Sequence, residues 1–216
     1  MIPLYDDNPR QSRSLAVYAL ILLNCLIFLN QVGLTNVRLE AFIQRWAFIP
    51  SEFFRSPVAV GWSIVTAQFL HGGWLHLLGN MWFLWVFGRS VEGVLGSAWF
   101  LLFYLVTGTA AILAQGLAAP GSEIPLVGAS GAIAGIMGGY IVRFPRAKIN
   151  TAVILIIFVT LVRIPALVFL GIWFAVETVR AATTNPGMPG VANLAHAAGF
   201  ALGMILMGLI RKKEEN

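Results

Sequence analysis

Residues 127–139 read VGASGAIAGIMGG, a stretch without a charge, with a single hydroxyl at Ser130 and glycines at Gly131, Gly135 and Gly139. Glycines four apart make one smooth helix face, and such faces let helix backbones approach closely inside a membrane. The same spacing recurs near the C-terminus in Gly199 and Gly203, with Ala195 one step above. If the two faces meet, Ser130 and His196 come together at the top of the contact. The stretch is therefore read as a membrane-spanning helix over residues 129–142, packed on another over residues 192–210.

The rest of the chain fits a lipid environment. Of its 216 residues, 58% are hydrophobic and 11% charged, and mean hydropathy is +0.82. A soluble domain carries about 25% charged residues to dress its surface. The net charge of +5 does not point to nucleic acid, because the basic residues sit between apolar blocks and not along one stripe. The single cysteine, Cys25, lies in an apolar run and reads as a small buried hydrophobe; alone it can make neither an internal disulfide nor a cysteine metal site. Residues 1–14 are polar, with Asp6, Asp7, Arg10 and Arg13. The apolar run from Leu15 is longer than a signal-peptide core and has no small-residue cleavage site at its end, so it reads as a first span.

A spanning helix needs about 20 apolar residues. Six such segments are expected, at residues 15–33, 73–92, 98–117, 129–142, 166–179 and 192–210. Residues 34–62 mix Arg38, Glu40, Arg45, Glu52 and Arg55 with aromatic residues and read as an interfacial loop with amphipathic pieces. Pro165 divides the long apolar stretch 149–180. The half before it is dense in β-branched residues and reads as extended or re-entrant and buried against protein, since free strand edges cannot face lipid. The expected fold is an all-α membrane bundle of six transmembrane helices: a short tail over 1–14, a six-span domain over 15–210 and a charged tail over 211–216. Both termini then share one side. Arg10, Arg13, Arg89, Arg143, Arg146, Lys148, Arg163, Arg211, Lys212 and Lys213 fall on that side, against Arg38, Arg45, Arg55 and Arg180 on the other. The excess of basic residues places the termini in the cytoplasm.

Polar residues inside spans are expensive and are candidates for function. His71, His76 and Asn80 lie at the start of the second span, Ser130 at the start of the fourth and His196 near the start of the sixth. These three spans all run from outside to inside, so their polar residues can share one depth near the outer face. A serine hydroxyl becomes a useful nucleophile when a base takes its proton, and histidine suits that task near neutral pH. The only aspartates, Asp6 and Asp7, lie in the N-terminal tail. Glu123 and Glu177 are acidic residues read toward the outer side, and neither is assigned to His196; the reading is a Ser130–His196 dyad. His76 and Asn80, four apart on one helix face, can both donate to an oxyanion, and the Ser130 backbone N–H can add a third donor. Gly131 beside the nucleophile leaves room for a substrate backbone. Gln68, His71, Gly72 and Gly73 are read as lying above the site, around a wet cavity, with His71 exposed at the interface. No metal site is expected: His71 and His76 are five apart and no His-Glu-xx-His pattern occurs.

These residues resemble the rhomboid family of intramembrane serine proteases. Gly128-Ala129-Ser130-Gly131 is similar to its Gly-x-Ser-Gly nucleophile motif, Ala195-His196-xx-Gly199 to its histidine motif and His76-xxx-Asn80 to its oxyanion-stabilising pair. His71 matches a histidine preceding that pair, and Gly88-Arg89-Ser90-Val91-Glu92 resembles the segment closing the second span. The resemblance runs over about residues 15–210. It implies a six-helix rhomboid-like fold without a cofactor, in the plasma or inner membrane, with the active site open to the outer face. The partners it implies are the lipid bilayer and transmembrane substrates with helix-destabilising outer ends. Gly128, Gly131, Gly135 and Gly199 would support the site. One departure is visible: many members carry an aromatic residue four after the serine, packed on the histidine, where this chain has Ala134.

Overall fold

The computed structural model describes residues 1–8, 14–155, 158–185, 188 and 192–210. Every segment expected to span is helical: α1 (Leu15–Val32) first, then, beyond the intervening loop, α6 (Trp74–Leu95), α7 (Ser97–Ala118), α8 (Ser130–Arg143), α9 (Ala166–Thr183) and α10 (Asn193–Leu209). Between α1 and α6 the interfacial loop holds α2 (Asn36–Trp46), α3 (Pro50–Arg55), α4 (Pro57–Val60), α5 (Ser63–Thr66) and a 3-10 turn over Ala67–Phe69. Pro50 and Pro57 open α3 and α4, where a missing N–H leaves no bond unmade. Pro165 likewise stands immediately ahead of α9 and ends the strand before it.

The bundle is built around α8. Every residue from Gly131 to Ile141 is buried, and the helix packs on α6, α7, α9 and, most extensively, α10. Its small residues are what make that possible. A Cβ on Gly199 would collide with the Gly131 carbonyl, one on Gly203 with the Gly135 carbonyl, and one on Gly138 with the Phe200 carbonyl. Gly131 and Gly135 offer their backbone to α10 while their bare Cα side faces Ala111 and Thr107 of α7. The outer helices show the opposite pattern. Leu22, Leu26 and Leu29 of α1, Leu102 and Val106 of α7, and Leu167, Ile172 and Val179 of α9 are all exposed. A water-soluble helix buries such residues; here they form the surface.

Buried charge is confined to places where it is satisfied. Glu92, wholly buried near the end of α6, accepts the N–H groups of Ala16 and Val17 through its two oxygens at 2.9 Å, and the Ser97 hydroxyl at 2.6 Å. It thereby caps the first turn of α1, where free N–H groups and the helix dipole favour an anion.

The expectation of an all-helical molecule needs correction. Strands β1 (Ile2–Asp6), β2 (Lys148–Leu155) and β3 (Phe158–Pro165) form an antiparallel sheet in that order. Pairs run from Lys148 opposite Pro165 to Leu155 opposite Phe158, and Ile2 lies opposite Ala152. The extended reading therefore holds for the backbone of residues 149–155 and 158–164. Burial holds only for β2, whose Ile149, Thr151 and Ala152 are enclosed, while Thr160–Arg163 of β3 are exposed. The N-terminal segment is not a free tail. Asp6 accepts hydrogen bonds from Ser90 of α6 and Tyr140 of α8, and the Trp82 indole donates to the Pro3 carbonyl at 2.6 Å. Arg10, Arg13 and the tail 211–216 with Arg211, Lys212 and Lys213 lie outside the described residues.

Candidate active site

Ser130 is the first residue of α8, and the chain ahead of it is set by backbone, not by side chains. Leu126 pairs with Phe48 in an isolated bridge, and the Gly128 N–H donates to the Ala67 carbonyl at 2.8 Å. Gly128 has φ +125, a conformation that L side chains rarely adopt,. It is also the point of closest approach to α6: a Cβ there would lie 2.8 Å from His76 Nε2 and 3.8 Å from Asn80 Nδ2. Glycine is therefore required at this position on two counts.

His196 lies in the first turn of α10. Its Nε2 is 2.8 Å from Ser130 Oγ. The start of α10 is steadied by Gln115 of α7, which accepts the Ala195 N–H at 3.2 Å. On the other side of the ring, His196 Nδ1 is 2.8 Å from Glu177 Oε2. Glu177 is on α9 and buried, and its second oxygen pairs with Arg180 at 3.2 Å. The two-residue arrangement read from the sequence is thus a row of three. Sequence reasoning passed over Glu177 because it lies nineteen positions from His196 on another helix, and its spacing alone does not say which way it faces.

Ala134 is buried in α8 and leaves His196 without an aromatic neighbour from that helix. α9 supplies one instead: the Trp173 ring lies 6.1 Å from the His196 ring, with Phe200 a further 5.8 Å from Trp173. Trp173 and Glu177 are four apart and so share one face of α9.

His76 and Asn80 face the nucleophile loop from α6. His76 Nδ1 accepts the Gly72 N–H at 3.4 Å. That places the ring proton on Nε2, the ring nitrogen that faces Gly128. Asn80 Nδ2 is buried without a hydrogen-bond partner among the described residues, an unspent donor beside the serine loop. Together with the Ser130 N–H in the first turn of α8 they are three donors on the two elements that meet at Gly128, and donors of this kind can stabilise a tetrahedral oxyanion.

His71 departs from its expected place. It is buried, not exposed at the interface, and packs edge-on against Phe28 and His76. Burial, with the neighbouring His76 adding to it, pushes its imidazole down to about 4, so the ring is neutral. Its backbone is clamped by Gln31 of α1, which donates to the His71 carbonyl at 3.2 Å and accepts its N–H at 3.1 Å. His71 therefore positions the turn ahead of His76. Gln68 is also buried against α7. Gly72 and Gly73 do line the open space, a cavity of about 780 Å³ that also touches His76, Gly128, Ser130 and His196. Among the described residues there is no cluster of ligands able to hold a metal ion.

The arrangement has the parts that acyl transfer uses: Ser130 Oγ has a base within hydrogen-bond reach, and polar groups of α6 stand beside the loop that carries it. Comparison with known proteins gives the family. Rhomboid-like protein 11, chloroplastic, of Arabidopsis thaliana is 28% identical over 96% of this chain and 69% of its own length. Rhomboid protease GluP of Bacillus subtilis is 34% identical over 70% of this chain and 28% of its own length. Rhomboid protein 1, mitochondrial, of Saccharomyces cerevisiae is 33% identical over 62% of this chain and 38% of its own length. The chain thus spans less than half of the bacterial and yeast relatives. The family model described as Rhomboid domain matches residues 59–213, a stretch that holds His76, Asn80, Ser130, Glu177 and His196, and the chain belongs to the rhomboid family of multi-pass membrane proteins.

Proposed function

We propose that this chain is an intramembrane serine endopeptidase that cleaves transmembrane segments of other membrane proteins near the outer face of the plasma or inner membrane. Six helices cross the bilayer, α1 and α6 to α10, with both termini in the cytoplasm. The observation that carries the reading is the 2.8 Å contact between Ser130 Oγ and His196 Nε2, on two helices whose backbones touch through glycine. Helix length supports the depth of the site. The 14 residues of α8 rise about 21 Å at 1.5 Å each, against a hydrocarbon core of about 30 Å. With its C-terminal end at the cytoplasmic surface, Ser130 lies below the outer one. Irregular backbone such as Val127–Gly128 is tolerated at that depth where it lines a wet cavity.

The reaction follows from the geometry. Ser130 Oγ attacks the scissile carbonyl carbon while its proton passes to His196 Nε2. The carbonyl π electrons move onto oxygen, facing His76 Nε2–H, the Asn80 amide and the Ser130 N–H. Collapse of the intermediate breaks the C–N bond, and the leaving amine takes the proton from Nε2. Water then attacks the acyl-serine ester, its proton passing to Nε2; as the intermediate collapses the C–Oγ bond breaks, Ser130 Oγ takes the proton back from Nε2, and the acid product leaves as a carboxylate with its proton lost to water.

A helix hides its carbonyls in hydrogen bonds, so attack needs local unwinding. Substrates are single-span proteins with a small residue at the cut near the outer boundary and a helix-destabilising residue just inside. A fluorophosphonate probe tests the nucleophile: it labels the wild-type chain in membranes and leaves Ser130→Ala unlabelled. Labelling that persists in Ser130→Ala, or none in the wild type, contradicts the reading.

A further inference from the structure

We propose that Glu177 is the positioning residue that fixes the tautomer of His196, so that the catalytic unit is Ser130–His196–Glu177 with α9 supplying the third member. The inference rests on the serine hydrolase reading above and goes beyond it.

The first argument is the cost of burial. The Glu177 side chain is 7% exposed, and Arg180, its partner in an i, i+3 pair, is 62% exposed. Helix-surface ion pairs of this kind are weak, whereas taking a carboxylate out of water is costly. The pair with Arg180 does not offset that, and Arg180 could remain solvated without it. The carboxylate is instead turned inward, with Oε2 on His196 Nδ1 at 2.8 Å and only Oε1 left for Arg180. A side chain placed for the sake of Arg180 alone would turn the other way, toward the exposed side of α9.

The second argument is protonic. An ionised carboxylate only accepts hydrogen bonds. Facing Nδ1, it requires the proton to be there, which leaves the Nε2 lone pair directed at the Ser130 hydroxyl. In a Ser-His-Asp unit the acid has that task and also stabilises the imidazolium that forms. Among the described residues, the charged and titratable groups that interact with His196 are Glu177 from α9, itself paired with Arg180, and His76 from α6. Of these only Glu177 is an anion. The third argument is mechanical. Ala134 provides no ring against His196, and α9 brings both the Trp173 ring and the Glu177 carboxylate, one turn apart, to the same imidazole.

The isosteric variant Glu177→Gln decides it. A glutamine amide can rotate to donate to Nδ1, which moves the proton to Nε2 and removes the base. The full chain is reconstituted in phosphatidylethanolamine–phosphatidylglycerol vesicles with a fluorogenic single-span peptide carrying alanine at the cut. Glu177→Gln is expected to lower kcat by about 10²–10⁴, as loss of the correct tautomer does in a serine triad, with KM within threefold. In parallel, ¹⁵N spectra of histidine-labelled protein, assigned with His196→Ala, are expected to show the His196 proton on Nδ1 in the wild type and displaced from it in Glu177→Gln. Turnover within twofold of wild type, or an unchanged tautomer, overturns the proposal. If Glu177→Gln does not fold, the wild-type spectrum decides, and a proton on Nε2 overturns it. Because the tautomer is read without substrate, failure of this inference and failure of the hydrolase reading are separate results.

Discussion

Ser130, His196, His76 and Asn80 come from three helices, and none does anything unusual within its own turn. What makes them a site is that each is polar where its helix offers only apolar or small neighbours. Asn80 carries the clearest mark, a buried amide with an unspent donor beside Gly128. His76→Ala and Asn80→Ala are each expected to lower turnover by about 10²–10³, the cost of one oxyanion donor in a well-measured enzyme, while the protein still folds. Steady-state turnover of the purified variants checks this, and full turnover in the double variant would remove both from the oxyanion role. These residues were legible in the sequence because a polar group in a span is rare enough to stand out. Glu177 was visible in the same way but was not assigned, since a carboxylate four residues after Trp173 on α9 can face lipid headgroups, another helix or the site equally well by spacing alone. His71 was misplaced for a related reason. Its position in a glycine-containing turn reads as surface, and only the clamp by Gln31 and the Phe28 ring reveals that the turn is folded inward.

At the scale of elements, the small-residue faces of α8 and α10 set the distance between nucleophile and base. The spacing of Gly131, Gly135, Gly199 and Gly203 announced the contact, although α8 uses carbonyls at Gly131 and Gly135 and bare Cα at Gly138 to make it. That division follows from helix rotation, which a four-residue repeat does not specify when four helices crowd around one. Gly199→Val places branched carbon against the Gly131 carbonyl. It is expected to cost about 1–3 kcal/mol from overpacking and at least 10²-fold in activity, the loss that about 1 Å of misplacement between reacting groups can cause. Wild-type turnover in Gly199→Val would show that this face does not position the site. The sheet was only half legible. The β-branched run before Pro165 announced an extended backbone, but its pairing with Ile2–Asp6 reaches in sequence across α1 and α6 to α8, and no local pattern in the first residues encodes it.

Seen whole, the molecule turns the soluble pattern inside out. The least bulky helix is at the centre, leucines face outward, and the buried charges Glu92 and Glu177 are each met by donors. The site sits toward one end of this bundle and opens into a cavity of about 780 Å³. A helix must unwind to present a carbonyl there, which sets the expected selectivity. A substrate whose outer helix end is rewritten as uninterrupted leucine should be cut at least tenfold more slowly than its parent with glycine and proline; equal rates would show that unwinding does not govern selection. The central claim is that Ser130, activated by His196, hydrolyses a peptide bond within a transmembrane segment. The most direct measurement is mass-spectrometric mapping of the products of a reconstituted single-span substrate incubated with wild type, Ser130→Ala, His196→Ala and the double variant. The wild type is expected to make one cut, at a small residue in the outer part of the span. No products are expected from either single variant or from the double, because members of one catalytic unit are not additive. Products of the same cut from purified Ser130→Ala, or a wild-type cut outside the span, would contradict the central claim.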